Sequence, residues 1–118
     1  LQMLWTDDFY ADKNHSHGMI EVYPSATLKQ MGTVSSGYKN DSADERLKRK
    51  VIIGDLATFL PSITQYHDLY DNADMLDAVI CLICAQDFLE GKAMPPPDLT
   101  MAKKEGWIWV RASDTILR

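Results

Sequence analysis

Apolar residues along the chain fall into short alternating runs and longer helical ones, and each run predicts an element. Met19-Ile20-Glu21-Val22-Tyr23 has the length and the β-branched, aromatic content of a strand, closed by Pro24. Alternation sets Met19, Glu21 and Tyr23 on one face, with Ile20 and Val22 on the other. Ser25 suits the N-cap of a short helix over residues 26–31, ended by Gly32. Residues 33–42, rich in Ser, Gly and Asn, read as a loop. A helix comes next over 44–60, with Leu47, Val51, Leu56 and Leu60 as its apolar stripe. Gly54 weakens that helix and Pro61 stops it.

The most informative stretch is 71–91. Its centre, from Leu76 to Leu89, is apolar on nearly every side, which predicts a buried central helix with Gly91 as the natural C-cap. Met94-Pro95-Pro96-Pro97-Asp98 reads as an extended connection, and Gly106-Trp107-Ile108-Trp109-Val110 as a closing strand. Residues 1–18 are polar and irregular, a loop or short edge element. The order strand, helix, loop, helix, buried helix, strand describes one α/β domain over residues 1–118, with no internal repeat and no linker. So few strands cannot bury their own faces, so the sheet is expected to be incomplete. Its missing strands would come from an N-terminal part, from the irregular segments, or from a partner chain.

Composition narrows the function classes. A length of 118 residues, 46% hydrophobic and 25% charged, supports a real core without disulfides or zinc. A net charge of -5 argues against coating DNA or an anionic membrane by bulk electrostatics. No apolar run approaches the roughly 20 residues of a membrane span. Cys81 and Cys84, without a secretory leader, point to a reducing, cytoplasmic setting. They form a C-x-x-C in mid-helix with no second pair, so they read as packed core thiols rather than a zinc or redox site.

The chemistry centres on acids. Asp74 and Asp77, three residues apart on a helix, project their carboxylates from one face, and Glu21 sits inside a strand. Three such carboxylates on rigid elements suit Mg²⁺ or Mn²⁺. Asp near a helix start is equally what capping favours, and spacing alone does not decide between the two. Lys39, Arg46, Lys48, Arg49 and Lys50 form the basic cluster, either a phosphate contact or a solvated helix face. His15 and His17 lack a nearby third ligand. Trp107 and Trp109 share a strand face and read as packing rather than a base-stacking platform.

Four stretches carry a family resemblance. Ile20-Glu21-Val22-Tyr23-Pro24-Ser25-Ala26-Thr27 resembles the "EVYPAAT" stretch of the DUF429 proteins, predicted nucleases with a ribonuclease H-like fold. Gly37-Tyr38-Lys39 with the basic segment Arg46 to Lys50 is similar to the next segment of those proteins. Asp74-Met75-Leu76-Asp77-Ala78-Val79 resembles the family's D-x-L-D-A run, and Glu105-Gly106-Trp107-Ile108-Trp109-Val110 its closing "EGWIW" strand. Trp5-Thr6-Asp7-Asp8 resembles a further Thr-Asp element.

The resemblance implies a ribonuclease H-like (RuvC-like) mixed sheet flanked by helices, here lacking its N-terminal strands. It implies a Mg²⁺- or Mn²⁺-dependent nuclease in which Glu21, Asp74 and Asp77 are catalytic metal ligands. Lys39, Arg46 and Lys50 would contact the nucleic-acid backbone. Such folds carry a further catalytic aspartate on a first strand, and no strand of that kind precedes Glu21 in this sequence. A degenerate module that binds a protein partner, a homo-oligomer, or a second chain supplying strands are the rival expectations. On the metal reading, Asp77→Asn abolishes stabilisation by a divalent ion and leaves the fold intact.

Overall fold

A computed structural model describes residues 18–65 and 68–113. The segments carrying His15, His17, His67 and Trp5-Thr6-Asp7-Asp8 lie outside these residues. The described chain is a mixed α/β structure, mostly helical. It runs β1 (Glu21–Val22), α1 (Pro24–Met31), α2 (Ala43–Leu56), a 3-10 turn (Pro61–Gln65), α3 (Asp68–Asp71), α4 (Ala73–Leu89), α5 (Leu99–Glu105) and β2 (Ile108–Trp109). The two strands pair in parallel, Glu21 with Ile108 and Val22 with Trp109. Among the described residues they form a two-stranded sheet, too little to establish the ribonuclease H-like mixed sheet that the resemblance implies. An isolated antiparallel bridge, Ala93 to Arg111, extends the pairing beyond β2.

Local chemistry explains the helix limits. Pro24 occupies the first turn of α1, where its missing N–H costs nothing, so the helix begins before the expected Ser25 cap. Gly32 ends it in the left-handed region at φ 82°, where a Cβ would be strained, and its N–H reaches the last carbonyls. Ser42 caps α2 by accepting from the N–H of Glu45, and the helix stops at Leu56 rather than continuing to Leu60. Asn72 caps α4, its side chain accepting from the N–H of Asp74 and of Met75. Such a cap is worth about 1 kcal/mol. Asp98 caps α5 through the N–H of Met101, making a helix directly after the proline-rich connection.

Two apolar clusters hold these elements. The larger joins Leu28 of α1, Tyr38, Ile52 and Leu56 of α2, Ile63, Leu69, and Leu76, Ile80, Ile83 and Cys84 of α4. Full burial of each aliphatic side chain contributes roughly 1.5–3 kcal/mol. Thr27 and Cys84 lie 3.0 Å apart where α1 crosses α4. The smaller cluster sits under the strands, where Ala93, Ala102 and Trp109 gather Ile20, Val22, Phe88 and Trp107. The Phe88 and Trp109 rings meet edge to face at 4.8 Å.

Two expectations about helix faces are corrected. On α2 the buried positions are Arg49, Ile52 and Leu56, while Leu47 and Val51 stay 58% and 46% exposed. The helix is rotated because Arg49 turns inward. On α4, Leu76, Ile80, Ile83, Cys84 and Asp87 face the core, yet Met75, Leu82 and Leu89 face solvent. Its apolar surround is therefore only half used. No helix among the described residues is long and apolar enough to cross a membrane.

Candidate functional site

Asp77 occupies the second turn of α4 and is tied to the loop between α1 and α2. Tyr38, 1% exposed, donates its phenolic hydrogen to Asp77 Oδ1 at 2.7 Å. Lys39 Nζ stands 3.1 Å from Asp77 Oδ2, and Lys39 itself stays mostly exposed. Burial, followed by the hydrogen bond to Asp77, pushes the Tyr38 phenol well above its ordinary value, with Ser25 pulling the other way. The phenol is thus a fixed donor at all ordinary pH.

The loop is held from below by Arg49, whose side chain is fully buried. Its Nη1 donates to the carbonyls of Tyr38 and Asn40, both at 2.7 Å, and its Nε to the carbonyl of Tyr70 at 2.8 Å. Nη2 has no hydrogen-bond partner among the described residues. Asp41 Oδ1 lies 3.6 Å from it, close enough for an ion pair but too long for a hydrogen bond. One buried guanidinium therefore fixes α2, α3 and the loop that presents Tyr38 and Lys39 to Asp77.

Asp74 is exposed and makes no hydrogen bond or ion pair through its carboxylate with the described residues. It is not the cap of its helix, a task taken by Asn72. Its carboxylate stands one turn from Asp77, the spacing expected from sequence. Glu21 belongs elsewhere. It is exposed on β1, where its neighbour Val22 packs against both apolar clusters, and its Oε2 would stand 3.8 Å from a Cβ added at Gly106. Gly106 has φ 87° and ψ 172°, a backbone conformation that glycine adopts far more readily than other residues, so the backbone here, not the ordinary contact with Glu21, calls for glycine. No group of three or more His, Cys, Asp or Glu side chains that could hold a metal occurs among the described residues. Two hard oxygen donors at the start of α4 suit Mg²⁺ or Mn²⁺ in kind but not in number.

The basic cluster is largely neutralised. Arg46 pairs with Asp71, Lys48 with Asp44 at 3.3 Å, and Lys39 with Asp77. Arg49 is inside, and Lys50 alone of the five is exposed without a partner among the described residues. Both thiols are free, Cys84 buried and Cys81 half-buried, and burial pushes both upward. That is the chemistry of inert packed thiols.

Sequence reasoning missed Tyr38 and Arg49 as supports of Asp77. Tyr38 follows Gly37 in a polar loop, and nothing local signals a partner 39 positions away. The signal for Arg49 is its place three residues before Ile52 and seven before Leu56, on the apolar side of α2.

Comparison with curated proteins and with solved structures gives no match. The family model described as "Protein of unknown function (DUF429)" matches residues 2–101, which include β1, the loop with Tyr38 and Lys39, and all of α4. The chain belongs to the DUF429 family.

Proposed function

We propose that this chain is a nuclease-class phosphodiester hydrolase domain of ribonuclease H-like (RuvC-like) type, dependent on Mg²⁺ or Mn²⁺ and working on nucleic acid in the cytoplasm. The acidic start of α4 is its chemical centre, with Asp74 and Asp77 as ligands; Glu21, which the fold does not group with them, stands outside this pair. The observation that carries this reading is the Lys39–Asp77 contact at 3.1 Å beside Asp74, whose carboxylate has no partner among the described residues. It sets an exposed cation next to paired carboxylates, and a phosphodiester brings the negative charge that such a lysine can take over from Asp77. Lys50 and Arg46 lie on the same basic helix, and Arg46 must leave Asp71 to reach a phosphate. The described residues alone supply too few donors for a complete site, so a further ligand is part of the proposal.

Cleavage of an end-labelled oligonucleotide in Mn²⁺ tests the activity. The expected result is metal-dependent cleavage that Asp74→Asn lowers at least ~100-fold, as for loss of a group that stabilises the transition state, without changing the unfolding midpoint. Undiminished cleavage in that variant overturns the assignment.

One observation favours a second reading, a catalytically degenerate module that binds a protein partner. Both oxygens of Asp77 are already engaged, by Tyr38 and by Lys39, and no third donor joins it and Asp74 among the described residues. On that reading Asp77 is a structural anchor and Mn²⁺ has no effect on stability.

A further inference from the structure

A cavity of about 290 Å³ opens where the C-terminal ends of α1 and α2 meet. Gly32 and Thr33 form one side, with Asp55, Leu56, Thr58 and Phe59 on the other. A Cβ placed at Gly32 would meet nothing within 4 Å, so that side is open. Asp55 Oδ2 accepts the Thr33 hydroxyl at 2.6 Å, and no cation pairs with this carboxylate among the described residues. The end of a helix leaves carbonyls without intrahelical partners and carries a partial negative charge. The last turn of α2 has no basic residue to offset it, and Lys29, in the last turn of α1, does not line the cavity. Phe59 is 44% exposed and already bears one cation, Arg111, 4.4 Å from its ring centre and outside the cavity wall.

We propose that this cavity binds a small alkylammonium ion. Asp55 takes the ammonium group through the oxygen that Thr33 leaves open, and the negative ends of both helices add to the attraction. Leu56, Met31 and the Phe59 ring give the alkyl chain an apolar wall. The volume stands at the low end of ligand sites, which run from about 300 to 1,000 Å³, so it fits a molecule of few heavy atoms rather than a nucleotide or a peptide. An anion is disfavoured by the carboxylate, by the helix ends and by the chain's net charge of -5. A bare metal ion would find one carboxylate and leave the apolar wall unused. The inference is independent of the nuclease reading, because Asp74, Asp77, Tyr38 and Lys39 do not line the cavity.

Titration of the isotope-labelled 118-residue chain with n-butylamine hydrochloride at neutral pH, followed through its amide resonances, tests the site. The amides of Gly32, Thr33, Thr58 and Phe59 are expected to move together and saturate, with a dissociation constant on the order of millimolar. n-Butanol, which has the chain without the charge, leaves them in place at the same concentration. So does potassium chloride, which has the charge without the chain. Asp55→Asn keeps an acceptor for Thr33, and so the fold, but weakens butylamine binding at least about fivefold. Should that variant unfold, Phe59→Leu carries the test, with an expected weakening of about two- to fivefold. No saturable movement by about 100 mM butylamine, a hundred times the expected constant, overturns the proposal. Equal movement with butanol or potassium chloride also overturns it, as does undiminished binding in the folded Asp55→Asn chain.

Discussion

The hydroxyl of Tyr38 and the Oδ1 of Asp77, 2.7 Å apart, join the loop after α1 to the start of α4. The contact fixes what each residue can do. The phenol is kept protonated, and the carboxylate gains a buried donor opposite the exposed Lys39. It also changes what a substitution at Asp77 means. Asp77→Asn removes a charge and at the same time disturbs a packed junction, so the sequence expectation of an intact fold does not suit this residue. Asp74, exposed and without a partner among the described residues, is the cleaner probe of metal chemistry.

Asp77→Ala leaves the Tyr38 hydroxyl buried without its acceptor, and the expected loss is about 1–3 kcal/mol of unfolding free energy. The double variant with Tyr38→Phe loses less than the sum of the two single losses, since neither group is then orphaned. Urea unfolding of the four proteins measures the coupling. Strictly additive losses would contradict the contact.

Tyr38 also sets an alkaline dependence. Its folded-state ionisation lies above its unfolded one, so the folded chain holds a proton that the unfolded chain releases above pH about 10. Its stabilisation is complete below that value and declines as pH rises further. Tyr38→Phe should flatten the fall in stability between pH about 10 and 11.5, read as the difference between the two unfolding curves. An identical slope would show that the phenol is not shifted.

Arg49 donates to the three carbonyls of Tyr38, Asn40 and Tyr70, and no other described side chain replaces it. Arg49→Met removes the charge but leaves those acceptors dry, with an expected cost of at least about 3 kcal/mol, since each orphaned buried group costs about 1–3 kcal/mol. Arg49→Lys recovers only part, because an ammonium lacks the planar fork. Thermal unfolding decides this, and a lysine variant as stable as wild type would contradict the clamp. The exposed pair Arg46–Asp71 gives the contrast, with Arg46→Ala costing no more than about 1 kcal/mol.

Asp87 and Arg111 form a two-pronged ion pair at 2.8 Å, with Asp87 buried, and Arg111 also stacks on Phe59. It fastens the segment after β2 to the end of α4. Asp87→Ala is expected to cost about 3 kcal/mol or more, because it removes two hydrogen bonds to a charged group, each worth about 1.5–3 kcal/mol. A loss below about 1 kcal/mol in urea unfolding would show that the pair is merely tolerated.

The legible parts of the fold are those with strong local signals. The strand at Glu21 closed by Pro24, the helix ended by Gly32, the long apolar helix and the Trp107–Trp109 strand all stand where the hydrophobic pattern predicts. The misses have physical causes. Three prolines before Asp98 suggest extension, but proline fits just ahead of a helix, and Asp98 then caps one. Leu47 and Val51 set the expected apolar stripe of α2 because a buried arginine is rare, and Arg49 overrides that rule by finding three carbonyls. Burial on all sides of α4 is what its composition suggests, yet composition does not say which faces the neighbouring elements cover, and here Met75, Leu82 and Leu89 stay exposed. At the site, the helical spacing of Asp74 and Asp77 is readable. The separation of Glu21 from that pair is not, since it depends on how β1, paired with β2, is set against α4.

Mn²⁺ binding, monitored as the shift in unfolding temperature of the wild-type chain and of Asp74→Asn, tests the central claim most directly. A metal held at the start of α4 makes the wild-type midpoint climb with Mn²⁺ concentration, as expected for a ligand bound only by the folded state. The Asp74→Asn protein should then be of equal stability without metal and no longer respond to it. A wild-type midpoint that stays fixed in millimolar Mn²⁺, or an equal climb in the variant, would contradict the metal site and leave Asp77 as an anchor for Tyr38 alone.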